Sequence, residues 1–360
     1  MNRHKTSQST KYNSDALSIW RTKLKNVKHG LLPSSSNDRP NPLVTESLVI
    51  ASVFSPGAVC ALERSTGRLV WRREVLGFCG AAVYGFDGKL FAKSSHTLYA
   101  LNPNSGEVLW TFCPYGPSGE TMYSEPAGHK QSVFIGDRRG ILHCLDARTG
   151  RTLWRRRTNK AKNGDVNSTP IISSGLVIVG TNADKAVAYD AETGELAWVR
   201  KVDGPSAKGP LLFQRFAAIL TDSIYLLESR SGRVVRKFSW QGNGIRGATS
   251  TPRTIAGILE GKWPPAEETQ LVGVDKSQIR YSVVHKCWGG AIRYARDMNL
   301  VYLSDLEHIR AFDPNDGRSV FDIRLGEKRP EFVGPVEVTK KIIYALTGVG
   351  HVYALHHPQV

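Results

Sequence analysis

The sequence predicts an all-β protein, an eight-bladed β-propeller of four-stranded antiparallel blades closed by an N-terminal strand, with seven blades as the alternative count. Three observations lead to this fold class. A short phrase recurs down the chain, its copies lie about forty residues apart, and each copy has apolar runs of strand length on both sides of a turn. One such unit cannot bury both of its faces alone, so units of this kind stack in propellers or solenoids.

The repeated phrase has a small residue, an apolar residue and an acid or Asn, then Thr or Ser, Gly and finally Trp. Near-complete copies occupy residues 61–71, 100–110, 144–154 and 188–198, and weaker copies occupy 226–232 and 311–321. Successive turn glycines lie 39, 44, 44, 38 and 85 residues apart, and the last step is two periods. The regular spacing indicates one continuous array of units rather than separate domains.

Each copy is predicted to be a β-hairpin. In the first copy, the apolar runs 59–62 and 69–71 flank Thr66-Gly67. Glycine accepts the left-handed backbone that a bulged turn requires, and the preceding acid can accept hydrogen bonds from turn amides. The Trp at the end of each unit is expected to pack on the neighbouring blade.

The units divide the chain into eight blades and a tail. The predicted blades are residues 42–76, 77–117, 118–160, 161–203, 204–241, 242–288, 289–327 and 328–357. The last unit lacks an outer strand, and residues 17–25 resemble the missing strand, so the ring is expected to close through them. Residues 1–16 are predicted to be a basic, flexible tail, and residues 17–357 a single propeller domain.

The phrase resembles the repeat of the pyrroloquinoline-quinone (PQQ)-type β-propellers, over residues 19–355. This family includes quinoprotein dehydrogenases and BamB-like assembly lipoproteins. The resemblance implies a propeller fold and two possible activities. The quinone enzymes hold PQQ over the central channel with a calcium ion and a general-base Asp, and many have an adjacent Cys-Cys disulfide.

The residues favour a non-catalytic scaffold that binds protein or peptide partners. The sequence has no Cys-Cys pair, and no Glu, Asn and Asp set matches the quinone and calcium ligands. No catalytic, cofactor-binding or metal-binding residue is therefore assigned, and no cofactor is expected. A quinoprotein oxidoreductase that uses PQQ with calcium is the alternative.

Positive charge is concentrated in two segments of the chain. Of the net charge of +16, residues 1–30 carry +6 and residues 138–162 carry +8. A basic surface attracts acidic proteins, acidic membranes or nucleic acid, so a nonspecific, electrostatic nucleic-acid module is a third hypothesis. Arg155, Arg156 and Arg157 are candidate partner-binding residues. The alternative role of these arginines is to guard a blade edge against pairing with other chains.

Three further residues are candidates for partner binding. Asn167 and Arg246 precede or begin matching inner strands, which places both near the mouth of the channel. Trp263 lies in residues 254–270, which are predicted to be an insertion in the sixth blade. Insertions on one blade are common places for partner contact. The alternative is that Trp263 folds back over the blade.

The chain as given begins without an apolar signal core or a lipid-attachment cysteine. The expected location is the cytoplasm, or the periplasm if a signal has been removed. No apolar run is long enough for a transmembrane segment. The protein is expected to be a monomer.

Overall fold

A computed structural model describes most of the chain. The described residues are 9–24, 42–53, 55, 57–75, 83–116, 122, 124–158, 165–166, 168–206, 209–240, 244–259, 269–285, 290–305, 307–325, 334–339 and 341–359. The strands of this part of the chain form eight sheets. This confirms the eight-bladed propeller and excludes the count of seven.

The first half of the chain begins with two strands and a short helix and then forms four blades. The opening elements are β1 (Thr10–Asn13), α1 (Ser14–Leu17) and β2 (Ser18–Lys23). Blade 1 contains β3 (Leu43–Val44), β4 (Leu48–Val53), β5 (Ala58–Glu63) and β6 (Leu69–Glu74). Blade 2 contains β7 (Tyr84–Phe86), β8 (Lys89–Lys93), β9 (Leu98–Leu101) and β10 (Val108–Phe112). Blade 3 contains β11 (Ala127–His129), β12 (Ser132–Gly136), β13 (Ile141–Asp146) and β14 (Thr152–Arg157). Blade 4 contains β15 (Ile171–Ser173), β16 (Leu176–Thr181), β17 (Lys185–Asp190) and β18 (Leu196–Lys201).

The second half of the chain forms the other four blades in the same way. Blade 5 contains β19 (Pro210–Phe213), β20 (Phe216–Leu220), β21 (Ser223–Glu228) and β22 (Val234–Ser239). Blade 6 contains β23 (Ile245–Ser250), β24 (Ile255–Leu259), β25 (Thr269–Val274) and β26 (Ile279–His285). Blade 7 contains β27 (Ala291–Ala295), β28 (Leu300–Ser304), β29 (His308–Phe312) and β30 (Ser319–Arg324). Blade 8 contains β31 (Glu337–Thr339), β32 (Ile342–Leu346) and β33 (His351–His356).

The ring closes through the N-terminal strand. Strand β2 pairs antiparallel with β33, and Trp20 lies opposite Ala354. Strand β2 is therefore the outer strand of blade 8, so that the first and last parts of the chain share one sheet. This pairing is the closure that the unfinished last repeat predicts.

The segment before β2 differs from the predicted flexible tail. Residues 10–13 form β1, which pairs in parallel with β30 as a fifth strand on the outer edge of blade 7. Tyr12 packs edge-on against Phe321, with the ring centroids 6.4 Å apart. The prediction missed β1 because a parallel strand needs no hairpin turn in the adjacent sequence. Residues 1–8 lie outside the described residues.

The predicted insertion in the sixth blade also differs from the structure. Most of its first residues form β24, a buried strand that pairs with both β23 and β25. Its last two residues, Thr269 and Gln270, begin β25. Residues 254–270 are therefore not one inserted loop, because their two ends belong to the regular blade.

The core lies between neighbouring blades. The second and third strands of blade 1, β4 and β5, are buried along almost their whole length. One hydrophobic cluster joins Ile50 and Ala61 of blade 1 to Leu90 and Leu101 of blade 2 around Trp71. Apolar residues on both faces of each strand are thus explained, because each sheet is covered by a blade on either side.

A tryptophan contact joins consecutive blades. In five blades, the Trp of the outer strand lies against the turn glycine of the next blade, and its indole nitrogen donates to a carbonyl in that turn. The bonds, 2.9–3.3 Å long, run from Trp20 to Arg64, Trp71 to Pro103, Trp110 to Ala147, Trp154 to Ala191 and Trp198 to Ser229. Since Trp20 belongs to blade 8 and Arg64 to blade 1, the same contact closes the ring.

The glycine in each of these turns is required by space as well as by backbone conformation. A Cβ added to Gly150 would lie 2.6 Å from the Trp110 ring, and Gly150 has a φ of +73°. Gly175 has a similar φ of +78°, but nothing lies within 4 Å of its added Cβ. The two glycines therefore separate the effect of backbone strain from the effect of the tryptophan contact.

We expect Gly150→Ala to destabilise the protein more than Gly175→Ala. Gly175→Ala should cost about 1–2 kcal/mol from left-handed backbone strain, whereas Gly150→Ala should cost a further ~2 kcal/mol by displacing Trp110. Denaturant unfolding followed by tryptophan fluorescence measures both. Equal losses for the two variants would contradict the role of the tryptophan contact.

Deleting residues 1–25 should cause aggregation. The deletion removes β1 and β2 and leaves the edges of β30 and β33 unpaired. Exposed strand edges are templates for pairing with other chains. Size-exclusion chromatography and thermal melting test this, and a soluble variant that melts like the full chain would refute it.

Candidate functional site

The structure describes four of the six predicted partner-binding residues. Asn167 and Trp263 lie outside the described residues. Arg246 is half-buried on the inner strand of blade 6, as the sequence predicts. Arg155, Arg156 and Arg157 form the end of β14, the outer strand of blade 3.

The channel wall near Arg246 contains a charged pair. Arg293 and Glu337 lie on the inner strands of blades 7 and 8, and their side chains form an ion pair of 2.5 Å. Burial raises the pKa of Glu337, against the opposing effect of Arg293. The ion pair joins two adjacent inner strands, which gives it a structural role in the wall.

The three arginines of β14 do not act together. Arg156 faces blade 4, where its guanidinium donates to the carbonyls of Gly194 and Thr193 at 2.7 and 3.1 Å. Arg73 and Arg200 make the same bond to the turn glycine of the next blade. Arg156 therefore holds two blades together, whereas Arg155 and Arg157 are exposed.

The turn between β12 and β13 adds two more exposed arginines to this edge. Arg138 and Arg139 lie in this turn, and Arg157 donates to the Arg139 carbonyl at 3.2 Å. We call Arg138, Arg139, Arg155 and Arg157 the blade 3 basic patch.

A buried carboxylate supports the turn of the blade 3 basic patch. Asp137 is fully buried, and its Oδ1 accepts the backbone amides of Arg139 and Ile141, each at 2.9 Å. Its Oδ2 accepts the Tyr115 hydroxyl at 2.7 Å and lies 2.8 Å from His143 Nε2. Although burial opposes ionisation, the hydrogen bonds from His143 and Tyr115 hold the pKa of Asp137 below its usual value.

Tyr115 connects the buried carboxylate to the exposed arginines. The Arg139 guanidinium lies over the Tyr115 ring, 4.1 Å from its centroid, a favourable cation–π distance. Burial and the bond to Asp137 raise the pKa of Tyr115, against the effect of Arg139 and Arg155. The hydroxyl is therefore a hydrogen-bond donor at neutral pH, which fixes the turn and its arginines.

The sequence indicates the positive charge of this surface but not the buried Asp137 and its hydrogen bonds beneath it. The basic run 138–162 pointed to the surface, and Asp137 with Gly140 three residues later was a turn signal. Nothing in the sequence linked Tyr115 and His143 to this aspartate, because they come from different strands and a separate loop.

No described strand covers the outer edge of blade 3. Strand β14 pairs with β13 alone among the described residues, whereas the equivalent strand of blade 7 also pairs with β1. Leu153 on β14 is 46% exposed, close to the patch. The carbonyls of Arg155 and Arg157 accept side-chain bonds from Arg156 and Tyr189, at 3.0 and 3.4 Å, but belong to no further strand pairing in the described part of the chain. The edge thus offers an apolar side chain, positive charge and backbone groups that a partner strand could pair with.

Two further findings concern metal binding and membrane insertion. No three His, Cys, Asp or Glu side chains come together as metal ligands within the described ranges. No helix among the residues described is long and apolar enough to span a membrane.

The family model described as outer membrane protein assembly factor BamB matches residues 14–113 and 94–253, about two thirds of the chain. The protein belongs to the BamB-like family of PQQ-type β-propellers. This confirms the resemblance that the repeated phrase predicted.

Relatives of this BamB-like chain fall into two groups. The outer membrane protein assembly factor BamB of Pseudomonas aeruginosa is 29% identical over 37% of this chain and 33% of its own length. The quinone alcohol dehydrogenase subunit of Komagataeibacter europaeus is 27% identical over 42% of this chain and 23% of its own length. The matches therefore span a third or less of either relative.

A solved structure shows the same fold over almost the whole chain. The crystal structure of BamB from Moraxella catarrhalis covers 94% of this chain and 99% of its own, with a TM-score of 0.57 and 15% identity. At this identity the similarity concerns the fold alone.

Asp137→Asn should destabilise the BamB-like propeller by about 3 kcal/mol, because it removes a buried carboxylate that accepts hydrogen bonds from two turn amides and the Tyr115 hydroxyl. The Asp137 contribution is present above about pH 4 and is lost as the pH falls through its lowered pKa. The variant should therefore lose this part of the acid sensitivity of unfolding.

Asp146→Asn is the matched control. Asp146 also accepts two turn amides, from Arg148 and Thr149, but lies near the surface. Denaturant unfolding between pH 3 and pH 7 compares the two variants. A loss for Asp137→Asn no larger than that for Asp146→Asn would contradict the support that we assign to Asp137.

Proposed function

We propose that this protein is a non-catalytic scaffold that binds partner proteins, and that it takes an extended, acidic partner segment on the outer edge of blade 3. The relatives named as outer membrane protein assembly factors support a protein-binding role. The observation that carries the binding mode is the addition of β1 to the outer edge of blade 7.

Strand β1 shows that a blade of this ring can accept one more strand. Its four residues pair in register with residues 321–324 of β30, in parallel. Because β14 has the same place in blade 3 as β30 has in blade 7, its open edge can hold a partner strand in the same way. Main-chain hydrogen bonds would give affinity in this mode, and side-chain contacts would give specificity.

Charge selects the partner segment. Arg155 and Arg157 are alternate residues of β14, so both project to the same side of the strand. An extended segment with acids at alternate positions matches this spacing. Arg139, held over Tyr115, adds a third positive charge that is already oriented.

The relatives also bear on location and on the other hypotheses. Their names refer to outer membrane protein assembly, which favours the exported, periplasmic alternative over the cytoplasmic expectation. None of the relatives described above is named as a nucleic-acid-binding protein, so that hypothesis has no support from them.

A quinone-dependent oxidoreductase is the second candidate, favoured by the relatives named as quinone and quinohemoprotein alcohol dehydrogenases. It requires PQQ and calcium binding. Titration with PQQ and calcium, followed by absorbance and thermal melting, tests it. Saturable quinone binding with a calcium-dependent rise in melting temperature would favour the enzyme over the scaffold.

Site-specific cross-linking tests the scaffold. A photo-reactive residue at position 157 in the source cells should capture a partner through an acidic, extended segment, identified by mass spectrometry. The same residue at position 151, exposed in a turn of the same blade, should not capture it.

Binding measurements with the purified partner then test the role of Arg155 and Arg157. Arg155→Glu with Arg157→Glu should weaken its binding by about tenfold or more, because like charges now face each other. Arg148→Glu with Arg151→Glu makes the same charge change in the turn after β13 and should leave binding unchanged. Binding to the 155/157 variant as tight as to the wild type would contradict the proposal.

A further inference from the structure

The boundary between blades 5 and 6 lacks the tryptophan contact that five other boundaries have. Arg236 of β22 faces Leu226, in the register position where Trp198 faces Ala188 in blade 4. Blade 5 therefore has no Trp to place against the next turn. The receiving turn in blade 6, residues 275–278, has no glycine.

The turn of blade 6 is also shorter. In blade 4, Tyr189 pairs with Leu196 across six turn residues, whereas in blade 6 Val274 pairs with Ile279 across four. The Trp, the glycine and two turn residues are thus missing at one boundary. Apolar packing across this boundary comes instead from Phe238 of β22, which lies in one cluster with Val272 and Val274 of blade 6.

A cleft of about 400 Å³ lies beside this shortened turn. It is lined by the turn after β19 of blade 5 (Gln214), by Arg253 and Lys276 of blade 6, and by Asn315 of blade 7. A second cavity of about 220 Å³ adjoins it and shares Arg253 and Asn315. The larger cleft falls in the usual size range of small-ligand sites.

Hydrogen bonds between blades hold the walls of the cleft. The Gln214 side-chain amide donates to the Pro252 carbonyl of blade 6 at 3.2 Å. The buried Thr254 hydroxyl donates to the Pro314 carbonyl of blade 7 at 3.1 Å. The cleft is therefore formed by fixed elements of three blades.

The lining of the cleft is positively charged. Arg253, Lys276 and Arg280 contribute three cations against one carboxylate, Asp275. Asp275 Oδ1 accepts the amides of Ser277 and Gln278, at 2.7 and 2.8 Å, and its Oδ2 lies 3.7 Å from Arg280. The single acid is thus used to form the turn, and Arg253 and Lys276 are exposed.

We propose that this cleft binds a compact ligand through its anionic oxygens, either carboxylate or phosphate groups. Guanidinium groups bind both kinds of oxyanion with paired, charge-assisted hydrogen bonds. The source of these oxygens is a free small anion or the acidic side chains of a peptide. The site is separate from the blade 3 basic patch and does not depend on its role.

Isothermal titration calorimetry at fixed ionic strength tests the cleft with two probes. Inorganic phosphate represents the free anion, and a blocked tetraglutamate peptide represents acidic side chains. At least one probe should bind the full-length protein saturably. Binding of phosphate alone assigns a free anion, and binding of the peptide alone assigns acidic side chains.

Arg253→Gln with Lys276→Gln should weaken that binding by about tenfold, the effect of losing charge-assisted hydrogen bonds. Arg148→Gln with Arg151→Gln removes the same charge from the exposed turn of blade 3 and should change binding less than about twofold. Melting curves confirm that both variants fold. No saturable binding of either probe, or equal weakening in both variants, would overturn the proposal.

Discussion

The contact between a tryptophan and the turn of the next blade is the interaction on which the ring depends. It combines an indole hydrogen bond to the turn with close packing on a glycine, as Trp154 shows on blade 4. Arg156, two residues after this Trp, donates to the carbonyl of the glycine on which the Trp packs, Gly194. Because Trp20 makes the contact from blade 8 to blade 1, the series of tryptophan contacts runs from blade 8 through blades 1 to 5 and spans the point where the ring closes. Stability is therefore shared around the ring, as in other repeat proteins, but without free ends.

Since the repeated residues are used in packing, the surfaces available for function lie where the repeat is broken. In blade 3, the turn before β13 carries a buried Asp137 under exposed arginines. In blade 6, the missing glycine and the shortened turn leave a cleft. On blade 7, β1 adds a strand that the repeat does not include. Each departure leaves the tryptophan contacts of the other blades intact, which explains how one scaffold can carry different surfaces.

The sequence predicts the fold well because the repeated residues are the ones that make the packing contact between blades. In five repeats the Trp of one blade contacts the turn glycine of the next, so their regular spacing indicates the blade boundaries, and the incomplete last unit indicates the closure. The candidate sites are less predictable. The cleft results from residues that are absent, and the Asp137 network joins Tyr115 and His143 across separate segments. Within Arg155, Arg156 and Arg157, only Arg156 follows its Trp by two residues, as Arg73 and Arg200 do, and the burial pattern shows that it is the one packed on the next blade.

The basic outer edge of blade 3 reconciles the two roles that the sequence left open for its arginines. Positive charge along an open strand repels another copy of this chain, whose net charge is +16, and so protects the edge from self-association. The same charge attracts an acidic segment. The arginines therefore both repel further copies of this chain and favour a partner of opposite charge. Blade 7 shows the contrast. The side chain of Asp322 on its outer strand is held by His308 and Arg310, and the edge is covered by the chain's own β1. In blade 7 the outer edge is thus covered by pairing, whereas in blade 3 the arginine-rich outer strand pairs with β13 alone among the described residues.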